Sequence, residues 1–255
     1  MQYPMKTFTV ALGRDLPQAA VLGFPCASLA LCLSDGHLIP SAQSLPYGGL
    51  LGIYTNGHAA LPQDLRPLCR EVYTYLCRFG QSGILLDLPE DENGLTLASA
   101  LCPLLSNMGL PCYLPVALSA ADSKAGLILP SAISGGSFSG MLDHFLSRFP
   151  ADRLALEIVR TRHDFPMPSP DSEGTLLSAA RFDELRTAAG ETYFSPDLCA
   201  RYFTYIHPDS KPHLVLFDDV DSARRKMAAA REAGLSAAFA LYCEWGRELR
   251  SIFCP

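Results

Sequence analysis

Ser82-Gly83-Ile84-Leu85-Leu86-Asp87-Leu88-Pro89-Glu90 is an apolar strand that runs into carboxylates. Along a strand, residues i, i+2 and i+4 share a face, so positions 85, 87 and 89 point one way and 90 the other. Pro89 fixes its own φ and ends the strand. The expectation is that Asp87 faces the interior of whatever the strand helps to build, while Glu90 points to solvent or a loop. Read on its own, the stretch is equally an ordinary buried strand, 83–88, followed by an acidic turn through Glu90, Asp91, Glu92, Asn93 and Gly94.

Seven further strand-like runs flank this one: 8–12, 28–33, 49–54, 112–118, 126–132, 154–159 and 237–242. Most are continuous apolar runs, the mark of strands buried on both faces, and eight of them in 255 residues predict a closed parallel (β/α)8 TIM-like barrel. The helices between them are readable. Leu65, Leu68, Val72 and Leu76 form one face after Asp64 as a cap and before Gly80 as a stop. Leu97, Leu101, Leu104 and Met108 repeat the pattern between Thr96 and Gly109, and Met141, Phe145 and Phe149 do so further on. The barrel is expected to be irregular, with some helices shortened or missing: 118–126 is too short for one, and Pro17 and Pro25 interrupt 12–28. A long insertion is expected over 161–195, with a helix near 178–188, and residues 1–255 read as one domain.

With 49% hydrophobic and 18% charged residues and a net charge of −6, the chain has the makeup of an acidic globular protein. Its scattered Lys and Arg argue against nucleic-acid binding, and no apolar run is long enough to span a bilayer. The first residues lack the pattern of a secretory leader, so a cytoplasmic location is expected. Nine cysteines, with no C-x-x-C pair, read as free thiols packed as small apolar side chains. Neither a metal site nor a cofactor is expected.

A second informative stretch lies near the C-terminus. Tyr202-Phe203-Thr204-Tyr205 is followed by His213-Leu214-Val215-Leu216-Phe217-Asp218-Asp219-Val220-Asp221-Ser222, then Lys226, then Gly234-Leu235-Ser236-Ala237-Ala238-Phe239. Asp219 or Asp221 can cap a helix with Val220, Ala223, Met227 and Ala230 on one face, and Gly234 ends it. In order and spacing this stretch resembles glycoside hydrolase family 18, especially its spore-cortex hydrolase branch. The resemblance extends over roughly the whole chain and is sharpest between 200 and 240.

The resemblance implies roles for residues of the first stretch. The family's fourth strand carries Asp-x-x-Asp-x-Asp-x-Glu, whose acidic positions fall here on Ser82, Leu85, Asp87 and Pro89. Asp87 would then orient the N-acetyl group that serves as internal nucleophile, and the proton donor is replaced by Pro89, with Glu90 one residue late. The family's Met-x-Tyr-Asp element on strand six is replaced by Leu129-Pro130-Ser131-Ala132. Its sugar-stacking Trp at the end of strand eight has Leu241 or Tyr242 in its place, with Trp245 shortly after.

The implied candidates are Asp87 and Glu90 for catalysis, and Arg160, Tyr242, Glu244, Trp245, Tyr54 and Asn56 for substrate binding. Arg160 or Arg162 suits a sugar carboxylate, and Tyr54, Asn56 and His58, with Ser34, Asp35 and His37, suit sugar hydroxyls. The polar run Glu157, Arg160, Arg162, His163 and Asp164 also reads as an ion-paired loop base. The expected function is a catalytically degenerate family-18-like protein that binds an N-acetylated glycan or muropeptide, or serves as a scaffold. Alternatives are an active glycosidase with relocated acids, using Asp87 and Glu90 with Glu157 or Glu244 as a further candidate, and a protein-interaction scaffold without sugar binding.

Overall fold

The computed structural model describes residues 4–41, 44–56, 61–168, 174–208 and 210–254. The chain runs through β1 (Lys6–Leu12), α1 (Leu16–Ala20), β2 (Cys26–Ser34), β3 (His37–Pro40), β4 (Leu50–Thr55), α2 (Arg66–Arg78), β5 (Ile84–Asp87) and α3 (Glu92–Asn107). Next come β6 (Cys112–Pro115), β7 (Gly126–Pro130), α4 (Phe138–Leu146), β8 (Leu154–Glu157), β9 (Arg162–Pro166), β10 (Thr175–Leu176) and α5 (Ala179–Ala189). The rest is β11 (Tyr193–Ser195), β12 (Ala200–Ile206), β13 (Pro212–Phe217), α6 (Val220–Glu232), β14 (Ala237–Leu241), α7 (Tyr242–Trp245) and α8 (Leu249–Phe253).

Strands β1, β2, β4, β5, β6, β7, β8 and β14 pair in parallel in that order, and β14 closes on β1. This is the (β/α)8 barrel, built from the eight runs the sequence offers. Alternation sorts the side chains. Phe8, Val10, Leu29, Leu85, Tyr113 and Phe239 point inward as one cluster. Ile53, Leu86, Leu114, Leu127 and Leu156 point outward against Leu68, Val72 and Leu76 of α2 and Leu97, Leu101 and Leu105 of α3. Burial on both faces is why these strands read as unbroken apolar runs. Inside, Phe8 stacks on Phe239 at 5.1 Å and Tyr113 meets Phe239 edge-on at 5.0 Å. Gly126 makes room for this packing: a Cβ there would lie 2.5 Å from the Tyr113 ring.

Several expectations are corrected. Pro17 does not interrupt the first connection; it lies in the opening turn of α1, where its missing N–H costs no helical bond. Helix α3 starts from Asp91, which accepts from Gly94 N at 2.9 Å, and it buries Leu105 while Leu104 and Met108 stay largely exposed. Asp64 stands one residue ahead of the N-cap Leu65, and its carboxylate accepts both from the backbone N–H of Arg66, the first residue of α2, at 3.0 Å and from the Arg66 side chain. Cys102 of α3 and Cys112 of β6 form a disulfide across a Cα–Cα distance of 5.6 Å, leaving seven free thiols.

The insertion is longer than expected. It reaches Phe217 and forms an antiparallel sheet in the order β10-β9-β13-β12-β11, with Phe182 and Leu185 of α5 packed on Phe203, Val215 and Phe217. Its return to the barrel is pinned by a buried network at the start of α6. Lys226 Nζ donates to Asp218 Oδ1 and Oδ2 at 2.8 and 2.9 Å, with both side chains 1% exposed. Ser222 Oγ donates to Asp218 at 2.7 Å, while Asp219 and Ser222 complete a capping box.

Candidate active site

The C-terminal ends of the barrel strands enclose a cavity of about 240 Å³, walled by Leu29, Leu85, Ile128, Phe239 and Leu241. Three carboxylates line it: Asp87, Glu90 and Glu157. Asp87 ends β5 beside Tyr54 of β4. Glu157 ends β8 between Pro130 of β7 and Phe239 of β14. Among the described residues no hydrogen bond or ion pair engages the side-chain carboxylate of Asp87 or Glu157.

Uncompensated charge against apolar walls shows in the protonation of these groups. Burial, then the Asp87 charge, then that of Glu244, push the Glu157 pKa up to about 7. Asp87 stays open to solvent through the cavity, yet its apolar surroundings raise its pKa as well. Glu244 is also raised by burial, against the backbone N–H of Arg160 and the charges of Arg162 and Arg160, which lower it. One carboxyl that holds a proton near neutrality, close to a second carboxylate, is the raw material of acid–base chemistry.

Glu90 does not point away from Asp87; both line the cavity. Alternation holds only inside the strand, and β5 stops at Asp87, after which the chain turns through Leu88 and Pro89 into α3. That turn is tight: a Cβ on Gly94 would stand 1.9 Å from the Pro89 carbonyl oxygen.

The expected sugar platform is not formed either. Trp245 is 2% exposed, donates from Nε1 to the Ile158 carbonyl at 3.0 Å, and is covered by the Arg160 guanidinium at 4.9 Å. Arg160 is held by its Nη1, which donates to the Glu244 carbonyl at 2.9 Å and to Glu248 at 2.6 Å, while its backbone N–H reaches the Glu244 carboxylate at 3.0 Å. Tyr242 packs on the outside of the barrel against Ala11, Leu16 and Ala19, so Leu241 faces the cavity in its stead. Asn56 is exposed just beyond β4, and Ser34, Asp35 and His37 turn into the β2–β3 hairpin. His58 lies outside the described residues. In the sequence Glu157 is one member of a polar run and one of several candidate relocated acids. The alternation Leu154-Ala155-Leu156-Glu157 is the signal that puts it inside with Ala155.

No family model and no curated protein matches the sequence. Solved structures do match. A chitinase from Chromobacterium violaceum superposes with a TM-score of 0.68 at 17% identity, over 98% of each chain. The spore cortex-lytic enzyme SleL of Bacillus megaterium gives 0.66 at 11% identity, over 94% of this chain and 71% of its own. The class V chitinase of Nicotiana tobaccum in complex with NAG4 gives 0.65 at 13%, over 98% of each chain. At these identities the likeness shows the fold: this chain has the barrel of chitinases and cortex-lytic enzymes.

Proposed function

We infer that this protein is a glycoside-hydrolase-like barrel that binds an N-acetylated glycan unit at its mouth and has lost the proton donor of family 18. One observation carries the reading: Asp87, at the position the resemblance assigns to holding the acetamido group, lies unpaired in the mouth cavity, while Pro89 stands where the acid belongs. A cavity of about 240 Å³ suits part of one sugar ring, with the rest of the chain lying outside. Without a general acid, about 10²- to 10⁴-fold in rate is forfeited. Calorimetric titration with chitooligosaccharides and muropeptides tests the binding: Asp87→Asn is expected to weaken it at least tenfold, and no binding to wild type rejects it in favour of a protein-interaction scaffold.

The protonation of Glu157 favours a second reading, an active glycosidase with a relocated acid. Glu157 would give its proton to the glycosidic oxygen as the C1–O bond breaks. The substrate's acetamido oxygen, held by Asp87, would close on C1, and water would then open that ring and return a proton to Glu157. Aryl N-acetylglycosides separate the two readings. Release of the aryl group that declines as pH rises through about 7 and vanishes in Glu157→Gln supports the enzyme. No release between pH 5 and 8 supports the binding protein.

A further inference from the structure

The opposite, N-terminal end of the barrel carries a larger groove of about 860 Å³, within the range of roughly 300–1,000 Å³ typical of small-molecule sites. Its charged lining reverses the acidic balance of the protein: Lys6, Lys124 and Arg153 face a single carboxylate, Asp152. Arg153 is held in place by donating to the carbonyls of Ala125 and Asp122 at 3.1 Å and by stacking on Phe149. Asp122 is turned to its own loop, accepting from Ser106 Oγ at 2.9 Å and Lys124 N at 2.8 Å.

The second observation is Tyr113. Only 7% of this residue is exposed, it lines the groove, and its hydroxyl makes no hydrogen bond to any described residue yet is not sealed from solvent. The ring is fixed by Phe8, Phe239 and the space over Gly126, so the hydroxyl is held in place as a donor open to a ligand. The phenol is protonated at neutral pH, and burial raises its pKa further. A fixed donor beside three cations fits an acceptor-rich anion, and Pro4, Pro111 and Leu235 supply apolar wall for its carbon part.

We propose that the groove at the N-terminal end of the barrel binds a small amphipathic organic anion, whose phosphate or carboxylate lies among Lys6, Lys124 and Arg153 and accepts from the Tyr113 hydroxyl. Nothing about the mouth enters this assignment. Titration with phenyl phosphate, benzoate and uncharged phenol, followed by calorimetry and by NMR shifts at residues 112–126 and 234–236, tests it. Phenyl phosphate or benzoate is expected to bind one to one, more weakly as salt is raised, and which of them binds tells phosphate from carboxylate. Tyr113→Phe, which keeps the ring, is expected to weaken binding roughly three- to tenfold. Lys6→Gln with Lys124→Gln, both exposed, is expected to weaken it at least tenfold. Binding of neither anion at millimolar concentration, equal affinity for phenol, or affinity unchanged in these variants overturns the proposal.

Discussion

The barrel mouth and the start of α6 both collect carboxylates, and they treat them in opposite ways. At α6, the Asp218 side chain is 1% exposed, yet Lys226 and Ser222 satisfy both of its oxygens. At the mouth, Asp87 and Glu157 share an apolar cavity, and among the described residues no cation or donor sits on either carboxylate. Compensated charge belongs to architecture, since breaking it unfolds what it joins. Uncompensated charge costs stability where it stands, and a fold retains such a cost at a site that meets something else.

The sharpest way to break this comparison is at its compensated end. Asp218→Ala leaves the Lys226 ammonium buried without a partner, a change that costs about 3–5 kcal/mol. The variant is expected to unfold at markedly lower urea, with the loss largest in the insertion, whose return strand β13 ends one residue before Asp218. Lys226→Met likewise leaves the Asp218 carboxylate buried with Ser222 as its remaining donor, so a comparable loss is expected, and the double variant Asp218→Leu with Lys226→Met, which buries no charge, is expected to lose less than either single one. A double variant that loses as much as the two single ones together in urea titrations would mean that the pair matters for packing and not for charge.

At the uncompensated end the sign reverses. The folded pKa of Glu157, about 7, lies above the ordinary 4.5, so folding favours the protonated form. The stability tied to that proton is complete below about pH 4.5 and is lost as pH rises through 7. At about 1.4 kcal/mol per tenfold change in proton affinity, the loss by pH 8 is on the order of 3 kcal/mol. Glu157→Gln is therefore expected to raise the melting temperature at pH 8 by roughly 6–10 °C and to flatten its fall between pH 5 and 8. A variant no more stable than wild type at pH 8 would erase the contrast between the two regions.

The two regions also differed in how far their sequence could be read. The eight strands were legible because period and apolar runs are local signals, and the α6 cap was legible down to Asp219 or Asp221, of which Asp219 caps with Ser222. The partnership of Asp218 with Lys226 was not, since nothing in the spacing says that an aspartate preceding a helix turns inward to meet a lysine two turns on. At the mouth, Asp87 and Glu157 followed alternation, but Glu90 did not, because alternation ends with the strand and Pro89 and the contact at Gly94 redirect the chain. Trp245 escaped for a different reason. Whether an aromatic beyond the last strand faces a ligand or the wall depends on the backbone carbonyl it finds, here that of Ile158.

Restoring the missing acid tests whether the mouth differs from an active site by one residue or by its shape. Pro89→Glu adds a carboxylate where the resemblance places the donor, but β5 has already ended and the residue's carbonyl is pressed against Gly94. Turnover of aryl N-acetylglycosides is expected to stay at the wild-type level. A gain of tenfold or more would mean that the loop can re-form the strand and that Pro89 alone separates this mouth from catalysis.

The smallest effect is expected at Trp245, and it distinguishes wall from ligand platform. Trp245→Phe keeps most of the buried ring but removes the Nε1–H that the Ile158 carbonyl accepts, so the loss is that of one buried hydrogen bond, about 1–2 kcal/mol. Arg160 loses its better π partner yet keeps Glu248 and the Glu244 carbonyl, so the rim stays in place. Because Trp245 is 2% exposed and does not line the cavity, glycan affinity is expected to change less than twofold while stability falls. Affinity that falls tenfold with stability intact would mean that Arg160 swings off the ring when ligand arrives, and that the wall and the site are the same surface.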